Sequence, residues 1–518
     1  MDATSKSGAP SADRPRRADR SVLLAAKGGG VTFAGAIFSY GSWLVIGLLL
    51  ARFLGADQYG LYTLASSPVT IAVGLAGLGL SPALVRYVAV YRGRRDDAGI
   101  WGTLQVGLGL TSIASIVVGI GLFALAAPIA ERLFDEPRLI PLLRLGSLML
   151  PFATLSTQLS AATQGFKRMQ YTVIAKDISQ SLVRVVLIAG LVLFAGLNAM
   201  NATAVQLVSE VIAFGILLYF LHRLFALRRP LRAGRRNLRE MVGFSLPIYI
   251  TRLINTFRGN IQTLLLGAFE AVTTVGVFAV ASKVNMVGRM FHDSIVTASA
   301  PIVSDLYDQG KSESLARFYQ TMTKWTFTAN LPLFLIVQLF PGVILSIFGE
   351  EYVGGALALT ILAWGNLVDA GTGICGVVID MTGKTSLKVV NAIVTLGLLV
   401  GLNLLLIPPW GLVGAAVASA AARAGVNLLR LGQVYVLYRL LPYNVSFLKP
   451  VMAGLVALAA GWLMRRWIFT QETLIFAAIN VAVLVAVYAA AIVLLGLDQE
   501  DRAVLGRIGG RLKAKFRR

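Results

Sequence analysis

The chain has 518 residues, 56% of them hydrophobic and only 14% charged, and its mean hydropathy of +0.74 excludes an ordinary soluble enzyme built of several globular domains. Lys and Arg outnumber Asp and Glu by 47 to 25, a net charge of +22, yet the basic residues gather in alternate loops and in both tails. That distribution marks membrane topology and attraction to anionic lipid rather than nucleic-acid binding.

Residues 1–29 are polar and rich in Arg, Ser, Ala and Asp, and read as a disordered basic cytoplasmic tail rather than a cleavable leader. About fourteen apolar stretches follow, each near the roughly 20 residues a helix needs to cross a bilayer. They run over about 30–51, 62–90, 101–127, 139–163, 172–195, 203–222, 243–267, 273–300, 322–346, 355–380, 387–407, 412–438, 447–468 and 474–496. The expected class is therefore all-α, a polytopic membrane protein of about 14 transmembrane helices.

The loops on one side hold Arg92, Arg94 and Arg95, then Lys167 and Arg168, then a central basic run from Arg223 to Arg239. Opposite loops at 196–202, 268–272, 347–354 and 408–411 have no Lys or Arg and carry Glu270, Glu350 and Glu351 instead. Basic loops stay cytoplasmic, so a cell (cytoplasmic) membrane protein with both termini inside is expected. Arg465 and Arg466 depart from this rule near the outer end of the thirteenth span. The tail at 497–518 spaces Val504, Ile508, Leu512 and Phe516 four apart among basic residues, which suits an amphipathic helix on anionic inner-leaflet lipid.

The chain also repeats itself. Gly60-Leu61-Tyr62-Thr63-Leu64-Ala65-Ser66 matches Gly276-Val277-Phe278-Ala279-Val280-Ala281-Ser282 at an offset of 216, and Gly165 matches Gly383 at 218. The offset spans six crossings, so segments 1–6 and 7–12 form parallel repeats, a transporter architecture with substrate held between halves. The expected organisation is an N-lobe at 30–222, a basic linker at 223–242, a C-lobe at 243–440, a helix pair at 441–496 and the tail.

The hairpin from Leu50 through Arg52, Gly55, Asp57 and Gly60 to Tyr62 resembles the corresponding segment of bacterial and archaeal polysaccharide flippases. These belong to the multidrug, oligosaccharidyl-lipid and polysaccharide exporter superfamily, and the similarity in span order covers about residues 28–440. It implies a flippase that carries a polyprenyl-diphosphate-linked oligosaccharide from the inner to the outer leaflet by alternating access, for cell-surface polysaccharide synthesis.

Ionisable residues inside spans are costly and mark partners or water-filled pathways. Arg252 and Lys283 are both expected near mid-depth, and two cations there need an anion. Arg252, Asn255, Gly259 and Gln262 share one helical face with Arg258 beside them. The expected cationic, substrate-binding cavity is thus Arg252, Arg258, Lys283, Arg289, Asn255 and Gln262, with Arg86 meeting a diphosphate at the inner leaflet. Asp369 and Asp293 are possible ion-coupling groups, the membrane potential being the other energy source. Arg184 and Glu210 are expected to form a buried ion pair. Arg52 reads as a turn anchor, and Lys176, Asp177 and Lys324 as solvated ends of spans.

Cys375 reads as packing, and with only His222 and His292 besides, neither a metal site nor a cofactor is expected. A drug or cation antiporter of the same fold is the first alternative; it would be expected to place an acid inside the first lobe. A membrane enzyme of polysaccharide assembly is the second, but no paired acids or large outer loop support it, so the chain is expected not to be an enzyme and to work as a monomer.

Overall fold

The computed structural model describes the chain apart from residues 1–12, 227–229, 231–233, 235–237, 468–473, 497, 499 and 503–518, and leaves aside the side chains of 13–37, 385, 467 and 474. The described residues form sixteen α-helices. They are α1 (Asp13–Ala76), α2 (Leu80–Gly93), α3 (Asp97–Pro128), α4 (Leu139–Gly165), α5 (Met169–Thr172), α6 (Ser181–Phe194), α7 (Ala199–Leu224), α8 (Leu238–Phe269), α9 (Val272–Asp308), α10 (Ser312–Leu339), α11 (Pro341–Ser346), α12 (Ala356–Thr372), α13 (Cys375–Met381), α14 (Thr385–Tyr438), α15 (Leu448–Trp467) and α16 (Leu474–Leu494). A π-helical stretch, Val173–Gln180, joins α5 to α6.

Nine helical stretches among the described residues are long and apolar enough to cross a membrane. The chain is thus a multi-pass membrane protein, although this tally is lower than the fourteen spans expected. Two physical causes account for the difference. Helices α8, α9 and α10 carry charged and polar residues, among them Arg258, Arg289 and Lys324, which dilute their hydropathy. Two continuous helices each merge two: α1 breaks at Gly55 (φ 74°, ψ 168°), and α14 is two antiparallel helices. It breaks at Gly411 (φ 51°, ψ −125°), and Asn391 and Gln433, which lie 42 residues apart, exchange hydrogen bonds of 2.8 and 2.9 Å. A straight helix would hold them roughly 63 Å apart.

Two further expectations change. Of the tail at 1–29, residues 1–12 lie outside the described residues, while 13–29 continue α1. Leu23, Leu24, Ala25 and Ala26 are strong helix formers, and Pro15 falls in the first turn where proline is tolerated. The amphipathic stretch 503–518 lies outside the described residues, as do most arginines of the linker.

The chain packs as two compact units. Unit one comprises Met1–Gly47, Ala72–Leu125 and Pro141–Arg252, and unit two Leu48–Ile71, Ala126–Ile140 and Leu253–Arg518.

Unit one is centred on α2, α3, α4 and α7, with Leu84, Tyr87, Leu104, Leu159, Phe166 and Leu217 in its core. A Cβ on Gly107 would stand 2.6 Å from Leu84, and one on Gly165 2.8 Å from Val88. Small residues there let α2, α3 and α4 approach closely, as membrane bundles require. On α6 and α7, Arg184 donates to Ser209 (2.8 Å) and lies 3.4 Å from Glu210, which also accepts from Gln180 at 2.5 Å. Lys176 and Asp177 differ from the solvated ends expected: both are partly buried, Lys176 donating to Thr157 (3.0 Å) and Asp177 accepting from Ser39 (3.1 Å). The π-helical turn carrying them has more residues per turn and rotates its side chains off the ordinary helical face.

Among the described residues, unit two includes two apolar clusters. One gathers Tyr319, Ile374, Cys375 and Val378, which gives Cys375 a packing role. The other joins α10, α15 and α16 through Leu331, Leu335, Ala457 and Leu484. Unit two also explains why residues 48–71 and 126–140 leave the expected N-lobe. A Cβ on Gly60 would stand 2.0 Å from the Val272 carbonyl oxygen, and one on Gly276 2.1 Å from that of Ala56. Shifted by the repeat offset, Gly60 becomes Gly276 and Ala56 becomes Val272. The two contacts are therefore one contact repeated about a local pseudo-two-fold axis, the self-complementary arrangement expected of equivalent surfaces. Around it, Tyr352 donates to the Ala51 carbonyl (2.9 Å), Arg52 to that of Ile347 (2.8 Å), and Arg138 grips Asp57 at 2.8 and 3.0 Å. Hydrogen bonds from Arg138 hold the Glu136 carboxyl below its usual range.

Two other charges have local explanations. Arg465 donates to the Leu339 carbonyl at 2.6 Å, so this departure from the loop-charge rule caps the end of α10. Lys324, read from sequence as solvated, is 8% exposed and pairs with Asp498 at 2.6 Å and Asp501 at 2.8 Å. Lys449 adds a 2.5 Å bond to Asp498, and Trp325 one of 2.8 Å to Asp501. The carboxylates come from beyond α16, so no helical periodicity links them to Lys324.

Gly60→Val and Gly276→Val, measured by thermal unfolding in detergent, should each cost about 1–3 kcal/mol through overpacking, and the two costs should match because the contacts are equivalent. Lys324→Met should cost about 3 kcal/mol by stranding buried charge. Burial opposes ionisation of Asp498 and Asp501, but their hydrogen bonds outweigh it and hold both below the usual carboxylate range. Their contribution is therefore complete above the ordinary carboxylate pKa and fades as pH falls through the lowered folded value; a pH titration of unfolding should show that acid loss in the native chain and a smaller one in Lys324→Met.

Candidate functional site

The densest cluster of charge within the apolar helices lies in unit two, on α8, α9, α12 and α14. Asp369 of α12 is its hub. Asn427 of α14 donates to its carboxylate at 2.6 Å. Arg423 Nη1 stands 3.8 Å away and His292 Nε2 3.9 Å away. Arg423 also donates to Asn366 (2.7 Å), whose amide in turn donates to Asn285. Arg430 reaches Asn427 at 3.5 Å. Arg289 lies 3.7 Å from Asp293 one turn along α9, and Arg258 of α8 lies within electrostatic range of Arg289, Arg430 and Asp369 without a direct contact to them among the described interactions.

The cluster sets four guanidiniums against two carboxylates. Its ion pairs are also long. Strong charge-assisted bonds run about 2.7–2.9 Å, as in the Arg138–Asp57 and Lys324–Asp498 pairs, whereas Arg423 and Arg289 stand 3.7–3.8 Å from their acids. One donor position is unspent: Arg289 Nε is buried with no hydrogen-bond partner, and the buried His292 Nδ1 likewise has none. Such an arrangement can accept an oxyanion without first breaking a tight pair.

The residues expected from sequence divide as follows. Arg258, Arg289, Asp293 and Asp369 come together in this cluster. Lys283 lies on α9 with its ammonium 5.7 Å from the Tyr59 ring. Gln262 is occupied otherwise: it donates to the Ala415 carbonyl at 2.5 Å and accepts from Ser419, so it ties α8 to α14 rather than facing open space. Asn255 is exposed. Arg252 is exposed and is the last residue of unit one, so it and Lys283 do not share a unit. Arg86, also in unit one, is exposed and lies 4.7 Å over the Phe244 ring.

Sequence reasoning missed Arg423, Asn427 and Arg430. Their spacing of four and then three puts them on one helical face, and that polar stripe within an apolar span was the available signal. His292 was considered only as a metal ligand; no group of three or more metal-ligating side chains occurs among the described residues.

Comparison with known proteins agrees with this architecture. The family described as polysaccharide biosynthesis protein matches residues 25–307, more than half of the chain, and the MatE family matches 247–405. Stage V sporulation protein B of Bacillus subtilis (strain 168) is 22% identical over 444 residues, covering 80% of this chain and 84% of that protein. The probable low-salt glycan biosynthesis flippase Agl15 of Haloferax volcanii is 23% identical over 190 residues, 36% of this chain and 40% of that protein. The solved structure of the lipid II flippase MurJ in an inward closed conformation superposes with a TM-score of 0.70 at 13% identity, covering 91% of this chain and 98% of that one. The chain therefore belongs to the polysaccharide biosynthesis protein family, within the multidrug, oligosaccharidyl-lipid and polysaccharide exporter superfamily.

Proposed function

We propose that this protein is a flippase that moves a polyprenyl-diphosphate-linked oligosaccharide from the inner to the outer leaflet of the cytoplasmic membrane by alternating access. The observation that carries the reading is the surplus of guanidinium in unit two: among the described residues, Arg258, Arg289, Arg423 and Arg430 gather around two carboxylates, Asp369 and Asp293. A diphosphate supplies the missing negative charge, and arginine binds phosphate oxygens through paired N–H donors. Family membership and the flippase names of relatives support the substrate class. The same names favour transport over catalysis.

Arg258, Arg289 and Arg423 would take the diphosphate, with Lys283 as a further cation of unit two, and Arg252 and Arg86 as substrate-binding cations of unit one. Asp369, left with Asn427 and His292 when Arg423 turns to phosphate, would then take a proton or cation, which makes it the preferred coupling group over the more exposed Asp293. An inside-negative potential would also favour outward movement of the anionic head. Basic loops place both termini in the cytoplasm in this reading, where the tails would meet anionic lipid and the protein would act as a monomer.

The antiporter reading has one observation in its favour, the partly buried Asp177 bonded to Ser39 in unit one. Lys176 beside it and the Arg184–Glu210 pair next along the chain offset that charge, so the cluster offers no surplus acid for a cationic drug.

Two measurements test the proposal. Deletion followed by mass spectrometry should show build-up of one polyprenyl-linked oligosaccharide; an unchanged glycolipid pool with altered dye efflux would favour the antiporter. In reconstituted vesicles, Arg258→Ala with Arg423→Ala should slow flipping at least ten-fold while Arg138→Ala leaves it near the native rate. Native flipping by the double variant contradicts the cationic site.

A further inference from the structure

Unit two contains a cavity of about 190 Å3 between α9, α10 and α12. Its walls are apolar, among them Phe334 and Ala363, and its only polar side chains are Asn285, Asn330 and Asn366. The asparagine floor joins it to the cationic cluster. Asn366 Nδ2 is held by Asn285 at 2.7 Å, and Asn366 Oδ1 accepts from Arg423 Nη1 at 2.7 Å. Gly288 keeps the floor open, since a Cβ there would meet Asn330 Oδ1 at 3.6 Å and Asn366 Nδ2 at 3.9 Å. An apolar space thus lies one side chain away from a guanidinium.

We propose that this cavity binds the first isoprene unit of a polyprenyl diphosphate whose phosphate is held at Arg423. The inference rests on the flippase reading and names the part of the substrate it leaves undefined. Size is the first argument. An apolar cavity of about 150 Å3 accommodates benzene, with its six carbons, so 190 Å3 suits the five carbons of one isoprene. Connectivity is the second. In a prenyl diphosphate the first apolar carbon is bonded directly to a phosphate oxygen, so charge and hydrocarbon are adjacent. In a phospholipid, glycerol and ester groups intervene and would need polar partners where this cavity offers apolar wall. A lipid alcohol without phosphate would leave Arg423 unserved.

The test uses the full-length purified chain in nanodiscs, with inorganic pyrophosphate, geranyl diphosphate and lysophosphatidic acid as probes, read by calorimetry. Geranyl diphosphate should bind at least ten-fold tighter than pyrophosphate. Ala363→Phe, which fills the cavity, should erase that advantage and leave pyrophosphate affinity unchanged. Gly288→Ala, whose added methyl makes only ordinary contacts, should reduce it in part and serves should the larger variant fail to fold. An unchanged advantage in both variants overturns the proposal, as does an equal advantage for lysophosphatidic acid. Arg423→Ala separates the two levels: pyrophosphate binding that depends on Arg423 without a prenyl advantage removes only the isoprene site, whereas absence of any diphosphate binding removes the flippase reading with it.

Discussion

A charge within an apolar membrane domain must find a partner, and the whole internal organisation of this protein follows from how well each charge does so. Where pairing is tight the result is structure: Lys324 with Asp498 and Asp501, Lys449 with Asp498, and at the exposed surface Arg138 with Asp57 and Glu136, all closest at 2.5–2.8 Å. Where it is loose, at 3.7–3.9 Å around Asp369 and Asp293, four arginines remain underserved. Those distances leave Arg423 and Arg289 without a direct charge-assisted hydrogen bond to a carboxylate. The desolvation cost of buried charge is recovered only with good geometry, so a loosely paired cluster is costly to keep unless a ligand completes it.

The second constraint is close backbone approach. Gly60 and Gly276, equivalent in the repeat, meet each other's segments through reciprocal contacts with Val272 and Ala56. No side chain larger than hydrogen fits at either position. The surrounding ties, Tyr352 to Ala51 and Arg52 to Ile347, are hydrogen bonds to carbonyls near helix ends, where backbone acceptors are otherwise left over.

Much of this was legible in the sequence because it depends on local period and composition. The apolar ladder indicated a polytopic helical protein, and the glycine offset identified the two positions that meet at the pseudo-two-fold contact. Arg184 and Glu210 were matched by depth on adjacent helices, and Arg258, Arg289 and Asp369 by their place inside spans. What escaped depends on long-range placement. The acids that hold Lys324 lie 174 and 177 residues further on, and Gln262 is consumed by α14, 153 residues away. The π-helical turn at Val173–Gln180 redirected Lys176 and Asp177, and nothing in a 3.6-residue period announces it. Arg423, Asn427 and Arg430 were the avoidable omission, since their spacing alone forms a polar face.

If the surplus positive charge of unit two serves a lipid diphosphate, as proposed, ligand-dependent stability reports it most directly. Anything that binds the folded state raises its unfolding temperature in proportion to occupancy. Thermal unfolding of the purified protein should therefore rise with undecaprenyl diphosphate and not with undecaprenol, and the rise should vanish when Arg258 and Arg423 are both replaced by Gln. Equal stabilisation by the two lipids, or a rise that survives the loss of both arginines, would contradict it.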